Sequence, residues 1–262
     1  MKEFITRYWK TILFFGAVGL FGGFFTGIFV LESYPQDIKL QLYEEFNASG
    51  LGSLTISIDI LLGAVTAIQS AGYGIILGGL GILLGKKTAL WRDERKITKR
   101  PMLITLAIAI AGGLLMILPD IFFFGNHSAA IMDSYDTKPS VAFILASVTY
   151  GAVIEEVMLR LFAMSLVAYV IHKLFDKKHD RPTVATLVVA NIVTATLFAM
   201  GHLPATFTLF GDSPIIIFRS LLLNGIFGLV FGYLYRKYGL RYSMIAHGGC
   251  HLVSKLIWVL FI

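Results

Sequence analysis

Charge is scarce in this chain. Only 15% of its 262 residues are Asp, Glu, Lys or Arg, where a soluble globular protein carries about 25%. Cysteine is scarcer still: Cys250 stands alone, which excludes an internal disulfide. Regular alternation of apolar and polar residues is missing, as are internal repeats and low-complexity linkers. The connections between apolar stretches are too short to hold a soluble domain.

What is present is length of apolar run. The chain is 56% hydrophobic, with a mean hydropathy of +0.77. Thr11–Leu31, Ile60–Gly85, Met102–Leu118, Val141–Ile171, Thr183–Leu203, Pro214–Tyr235 and Ser243–Ile262 each approach or exceed the roughly 20 residues that cross a bilayer core. The expectation is an all-α, polytopic helical membrane protein of about seven transmembrane helices, folded as a single membrane domain over 1–262. Within it, 1–100 supplies N-terminal spans and a basic loop, and 140–262 supplies the core. Lys2, Arg7 and Lys10 precede the first run in the manner of a signal peptide. That run is too long for a signal h-region and lacks a small-residue cleavage site, so it reads as a retained span.

The net charge of +6 invites a nucleic-acid reading, but its distribution argues for topology instead. Of 22 Lys and Arg, 17 fall in four segments, 1–10, 86–100, 173–181 and 236–241. The connections between these, 32–59, 119–140 and 204–213, hold only Lys39 and Lys138 among basic residues and carry nine acidic ones. Seven spans make basic and acidic connections alternate, as the positive-inside rule requires. The N-terminus is therefore expected in the cytoplasm, with the lipid bilayer rather than nucleic acid as partner.

Glycines crowd the first three runs (GLFGGFFTG, GYGIILGGLGILLG, AGGLL), where small residues let helices approach closely. They lack the strand context and Lys of a phosphate-binding loop. LQLYEEFNASGLGSL reads as a short interfacial helix or a loop. Gln69, Asn191 and Asn224 read as hydrogen-bonding residues between helices, and Arg219 and Lys255 as residues that snorkel or pair.

Three polar groupings interrupt the later runs: Glu155, Glu156 and Arg160 in VIEEVMLR, Phe198 and His202 in LFAMGHLP, and His247 and His251 in MIAHGGCHLVS. An ionised carboxylate at mid-membrane costs from about 3 kcal/mol upward unless paired. Glu156 and Arg160, four apart, can pair on one helical face. Glu155 projects about 100° away and needs another partner. A buried carboxylate and imidazoles form an acid–base set, and the i,i+4 spacing of His247 and His251 also suits a metal pair.

In order, these motifs (EEVMLR, FAMGH, HGGCH), with the preceding GIFGLVFGYLYRKYGLRYSMIAH, resemble the CPBP family. These are the CAAX-processing and bacteriocin-processing intramembrane proteases, also called the Abi family. The match covers roughly 140–262. It implies an intramembrane endopeptidase in which Glu155 and His202 activate water while His247 and His251 stabilise the oxyanion, with Glu156, Arg160 and Phe198 in support. The family more usually has Asn or Asp where His251 stands, which strengthens the alternative of a divalent metal such as zinc held by Glu155, His202, His247 and His251. The resemblance favours a directly activated water.

The expected substrate is a membrane-associated peptide or protein, cut in a cavity open to the cytoplasmic side. Small size and a Lys/Ile/Phe-rich composition look bacterial. The rival readings are a proton- or ion-coupled transporter and a non-enzymatic immunity or scaffold protein. Straight helices would put His202 near the outer face, away from His247 near the cytoplasmic start of the last span. The fifth span is therefore expected to depart from an ordinary crossing, or the uncharged 204–213 loop to dip into the bilayer.

Overall fold

The structure, a computed structural model, describes residues 2–50, 56–93 and 97–262. Part of the segment expected as an interfacial helix (51–55) and of the basic loop (94–96) lie outside the described residues. Everything with regular structure among those described is helical. In chain order the helices are α1 (Lys2–Ser33), α2 (Gln36–Ala48), α3 (Ile58–Lys87), α4 (Lys99–His127), α5 (Ala129–Asp133), α6 (141–175), α7 (Val184–Gly201), α8 (Leu203–Phe210), α9 (Pro214–Lys237) and α10 (Leu240–Phe261).

Among the described residues, six helical stretches are long and apolar enough to cross a membrane: α1, α3, α4, Val184–Phe210, α9 and α10. The expected fourth span, α6, is not among the six. It lies at the centre of the bundle, packed on α1, α3, α7 and α10, and it carries Glu155, Glu156 and Arg160. The Ser140 hydroxyl caps its start, accepting from the Phe143 amide at 3.0 Å. The helix then widens into π turns over Ser147–Glu155 and Val157–Met164, a geometry often found at functional sites.

The glycine-rich runs form a close seam between α1 and α3. A β-carbon on Gly19 would lie 2.5 Å from the Ser70 carbonyl oxygen, and one on Gly27 2.5 Å from that of Leu62. Only glycine lets the backbones come this near, so packing is indeed the role of these residues. Gly22 makes a similar approach to α6, where a β-carbon would lie 2.7 Å from the Tyr150 amide nitrogen.

The stretch expected as a 204–213 loop is mostly helix. α7 ends at Gly201, the chain turns at His202, and α8 begins with Pro204 in its first turn. Pro fits there because its missing N–H has no intrahelical partner to lose. The α8 and α9 helices form a hairpin through 211–213, held by a 2.8 Å bond between the Thr206 and Ser220 hydroxyls. His202 thus sits inside the apolar stretch Val184–Phe210, not at its end.

At the basic end, Asp93 accepts from the Tyr8 hydroxyl at 2.6 Å and the Trp91 indole at 2.8 Å, and pairs with Arg7 at 3.0 Å. Asp176, just after α6, accepts from the Thr183 amide and the Thr186 hydroxyl, both at 2.8 Å. The Thr183 amide contributes most to holding its carboxyl below the ordinary range.

Candidate active site

Glu156 has no exposure and is shared by three groups. Its Oε1 lies 3.1 Å from Arg160 and accepts from His247 Nδ1 at 2.9 Å. Its Oε2 accepts from the Ser243 hydroxyl. The Arg160 guanidinium in turn reaches the Gly228 carbonyl at 3.4 Å and sits 4.4 Å from the centre of the Phe198 ring. The expected i,i+4 pair is therefore present, but Glu156 does more than neutralise Arg160. A carboxylate only accepts, so His247 donates from Nδ1 and, when neutral, keeps its lone pair on Nε2.

That Nε2 points toward Glu155, whose Oε2 lies 3.9 Å away. The adjacent carboxylates of α6 thus flank opposite edges of one imidazole, Glu156 bonded to it and Glu155 beyond hydrogen-bond reach. Glu155 differs in being 23% exposed, and it opens onto a cavity. The His247 ring is also clasped between Phe231, stacked at 4.6 Å, and His251, stacked at 5.1 Å.

His202 directs Nδ1 at the Phe198 carbonyl, 2.8 Å away, one turn back on α7. A carbonyl cannot donate, so neutral His202 carries its proton on Nδ1 and presents a lone pair at Nε2. Phe198 packs edge-on against the same ring at 4.5 Å. His251 is set the other way. Its Nδ1 faces Lys255 Nζ at 3.4 Å; an ammonium there would donate, which would leave the His251 proton on Nε2.

Gly151, one turn before Glu155, keeps this place open. A β-carbon there would lie 3.5 Å from His251 Nε2 and 3.9 Å from His247 Nε2. Any larger side chain would fill the gap between α6 and the two imidazole edges.

Glu155, His202, His247 and His251 all line one cavity of about 640 Å³, together with Tyr150, Asn224 and Lys255. The break after α7 is what lets His202 join the other three. Its rim is built from Glu32, Ser33, Thr137 and Lys138, at the end of the bundle opposite Lys2, because α1 delivers its last turn there and not its first.

Among the described residues no three His, Cys, Asp or Glu side chains are grouped closely enough to hold one ion.

Sequence reasoning misses Ser243 as a partner of Glu156, and it marks Lys255 as a residue that snorkels or pairs without naming His251 as its neighbour. Both belong to a ladder of polar residues every fourth position on α10: Ser243, His247, His251 and Lys255. That periodicity was the available signal. Asp120 gives none, since its partners are remote in the chain: Arg219 at 2.5 Å and Tyr135 at 2.9 Å. Asn191 does bridge helices, donating to the Leu229 carbonyl at 3.0 Å, whereas Gln69 and Asn224 bond within their own helices.

Residues 137–253 match the family described as type II CAAX prenyl endopeptidase Rce1-like. Neither the curated proteins nor the solved structures include a match.

Proposed function

We propose, from the match of residues 137–253 to the type II CAAX prenyl endopeptidase Rce1-like family, that the chain is an intramembrane endopeptidase that hydrolyses a peptide bond of a membrane-associated peptide or protein. The observation that carries this reading is the convergence of Glu155, His202, His247 and His251, from three separate helices, on one cavity. A bundle that needed these groups only as struts would pair them all, as it pairs Glu156 with Arg160. Glu155 instead faces open space.

In this mechanism Glu155 and His202 Nε2 hold a water between them. Glu155 takes a proton as the water oxygen attacks the scissile carbonyl carbon, forming the C–O bond. Negative charge moves to the carbonyl oxygen, where His251 Nε2–H is the standing donor. His247 adds a second donor when its Nε2 is protonated between Glu155 and Glu156. Collapse of the tetrahedral intermediate breaks the C–N bond, and the proton on Glu155 passes to the leaving amine. No step requires a metal ion.

We further read α6 as a seventh crossing, with the N-terminus in the cytoplasm, because that count puts all four basic segments on one side.

The test is hydrolysis of a quenched peptide by purified protein in lipid. Glu155→Gln is expected to lower kcat by about 10²–10⁴, the usual worth of a positioned general base, with the protein still folded. Unchanged turnover in that variant would remove Glu155 from the reaction.

A further inference from the structure

The cavity has one open end and one closed end, and the chain's charges are sorted along the same axis. The open end is made by the last turn of α1 (Glu32, Ser33), the 134–140 connection and the last turns of α8 and α10 (Phe210, Trp258). None of the four segments that hold 17 of the 22 Lys and Arg contributes to its lining. α1 runs from the basic end at Lys2 to the rim at Ser33, and α10 likewise from beside Arg241 to Trp258.

The basic end is plugged. Tyr8, Ile82, Leu90, Leu161, Tyr235 and Leu240 form one packed cluster there, beneath the Glu156–Arg160 pair. Tyr235 is further tied to Ser165 through their hydroxyls at 3.2 Å. A chain arriving from the basic side would have to displace this core, whereas one arriving at the rim meets a cavity already formed.

Short Lys/Arg-rich connections stay on the cytoplasmic side of a membrane. We propose that the cavity admits its substrate from the outer face, and that the substrate is an outer juxtamembrane segment of a membrane-anchored peptide or protein. The calling of that segment a substrate rests on the hydrolase reading; the direction of access does not. The lining tells what enters. Phe29, Phe143, Phe210, Phe227 and Trp258 present rings to a space within the roughly 300–1,000 Å³ of small-ligand sites, so a short, extended, apolar stretch fits and a folded domain does not.

Access can be read without catalysis. Single cysteines at Thr137 on the rim, Ser147 inside the cavity and Lys177 at the basic end, each in a Cys250→Ser background, are exposed in intact cells to a membrane-impermeant maleimide. Positions 137 and 147 are expected to react from outside, and 177 only after the membrane is opened. Reaction of 137 and 147 solely from the inner face overturns the proposal, and so does failure of 147 to react from either side. Repeating the labelling in Glu155→Gln, beside a quenched apolar peptide added outside, separates the two readings. Outside labelling without Glu155-dependent cleavage leaves the access intact and removes the hydrolase.

Discussion

Lys255 is one residue whose charge has no carboxylate to answer it among the described residues. It is 4% exposed, with its amine 4.1 Å from the centre of the Phe143 ring and 3.4 Å from His251 Nδ1. A cation so placed in a membrane protein is costly, and in its charged form the amine would occupy His251 Nδ1 and leave the proton on Nε2. Lys255→Met should therefore lower kcat, by up to the 10²–10³ that loss of an oxyanion donor brings, with little change in KM. Lys255→Arg should restore much of the rate, because a guanidinium also only donates. A Met variant with raised KM and normal kcat would show that Lys255 acts on substrate binding instead. Position 255 lies just past the family match, so this dependence belongs to the chain's own structure.

At the scale of elements, α6 is held to α9 and α10 by one buried polar assembly. Arg160 reaches Gly228 on α9, while Glu156 reaches Ser243 and His247 on α10. Removing Arg160 strands a buried carboxylate, which costs about 3–5 kcal/mol. Arg160→Ala should accordingly lower the unfolding midpoint in detergent far more than it lowers turnover per folded molecule. Full stability with abolished turnover would assign Arg160 to the substrate.

Much of this was legible in the chain. The Glu156–Arg160 spacing gave the pair, and the isolation of Glu155 gave its freedom. The membrane class followed from apolar length alone. The break at His202 was legible only as a contradiction between helix rise and shared geometry. Which way the cavity opens was not legible, because it depends on which ends of α1, α8 and α10 are splayed and which are packed, and no local pattern encodes that. Nor does α6 announce its π turns: the close approach of Gly22 on α1 to that stretch is remote in the chain.

For the whole molecule, charge and shape divide between two ends, one sealed and basic, the other open. The sealed end carries a clamp that responds to acid. Burial pushes the Asp93 carboxyl up, but the Tyr8 and Trp91 hydrogen bonds and the Arg7 and Lys86 charges together bring it below its ordinary value. A lowered folded value means the clamp's contribution is complete above about pH 4 and fades as pH falls through the folded value. Limited proteolysis near Trp91 should therefore accelerate only in strong acid, and Asp93→Asn should show the faster cleavage already at neutral pH. Cleavage independent of both would mean that the connection is held by other contacts.

The contact of Gly22 with the backbone of Tyr150 has a mechanical consequence. With no side chain between them, α1 and α6 behave as one beam, and α3 is fastened to the same beam along Gly19 and Gly27. Two walls of the cavity, α1 and α6, are thus rigid at the height of the site, with α3 backing the first. Any widening to let a peptide pass falls to the opposite wall, where α8 is a short helix ending at Gly211, whose backbone sits at φ +83°. A widening on that side would move the wall that carries His202 at its base.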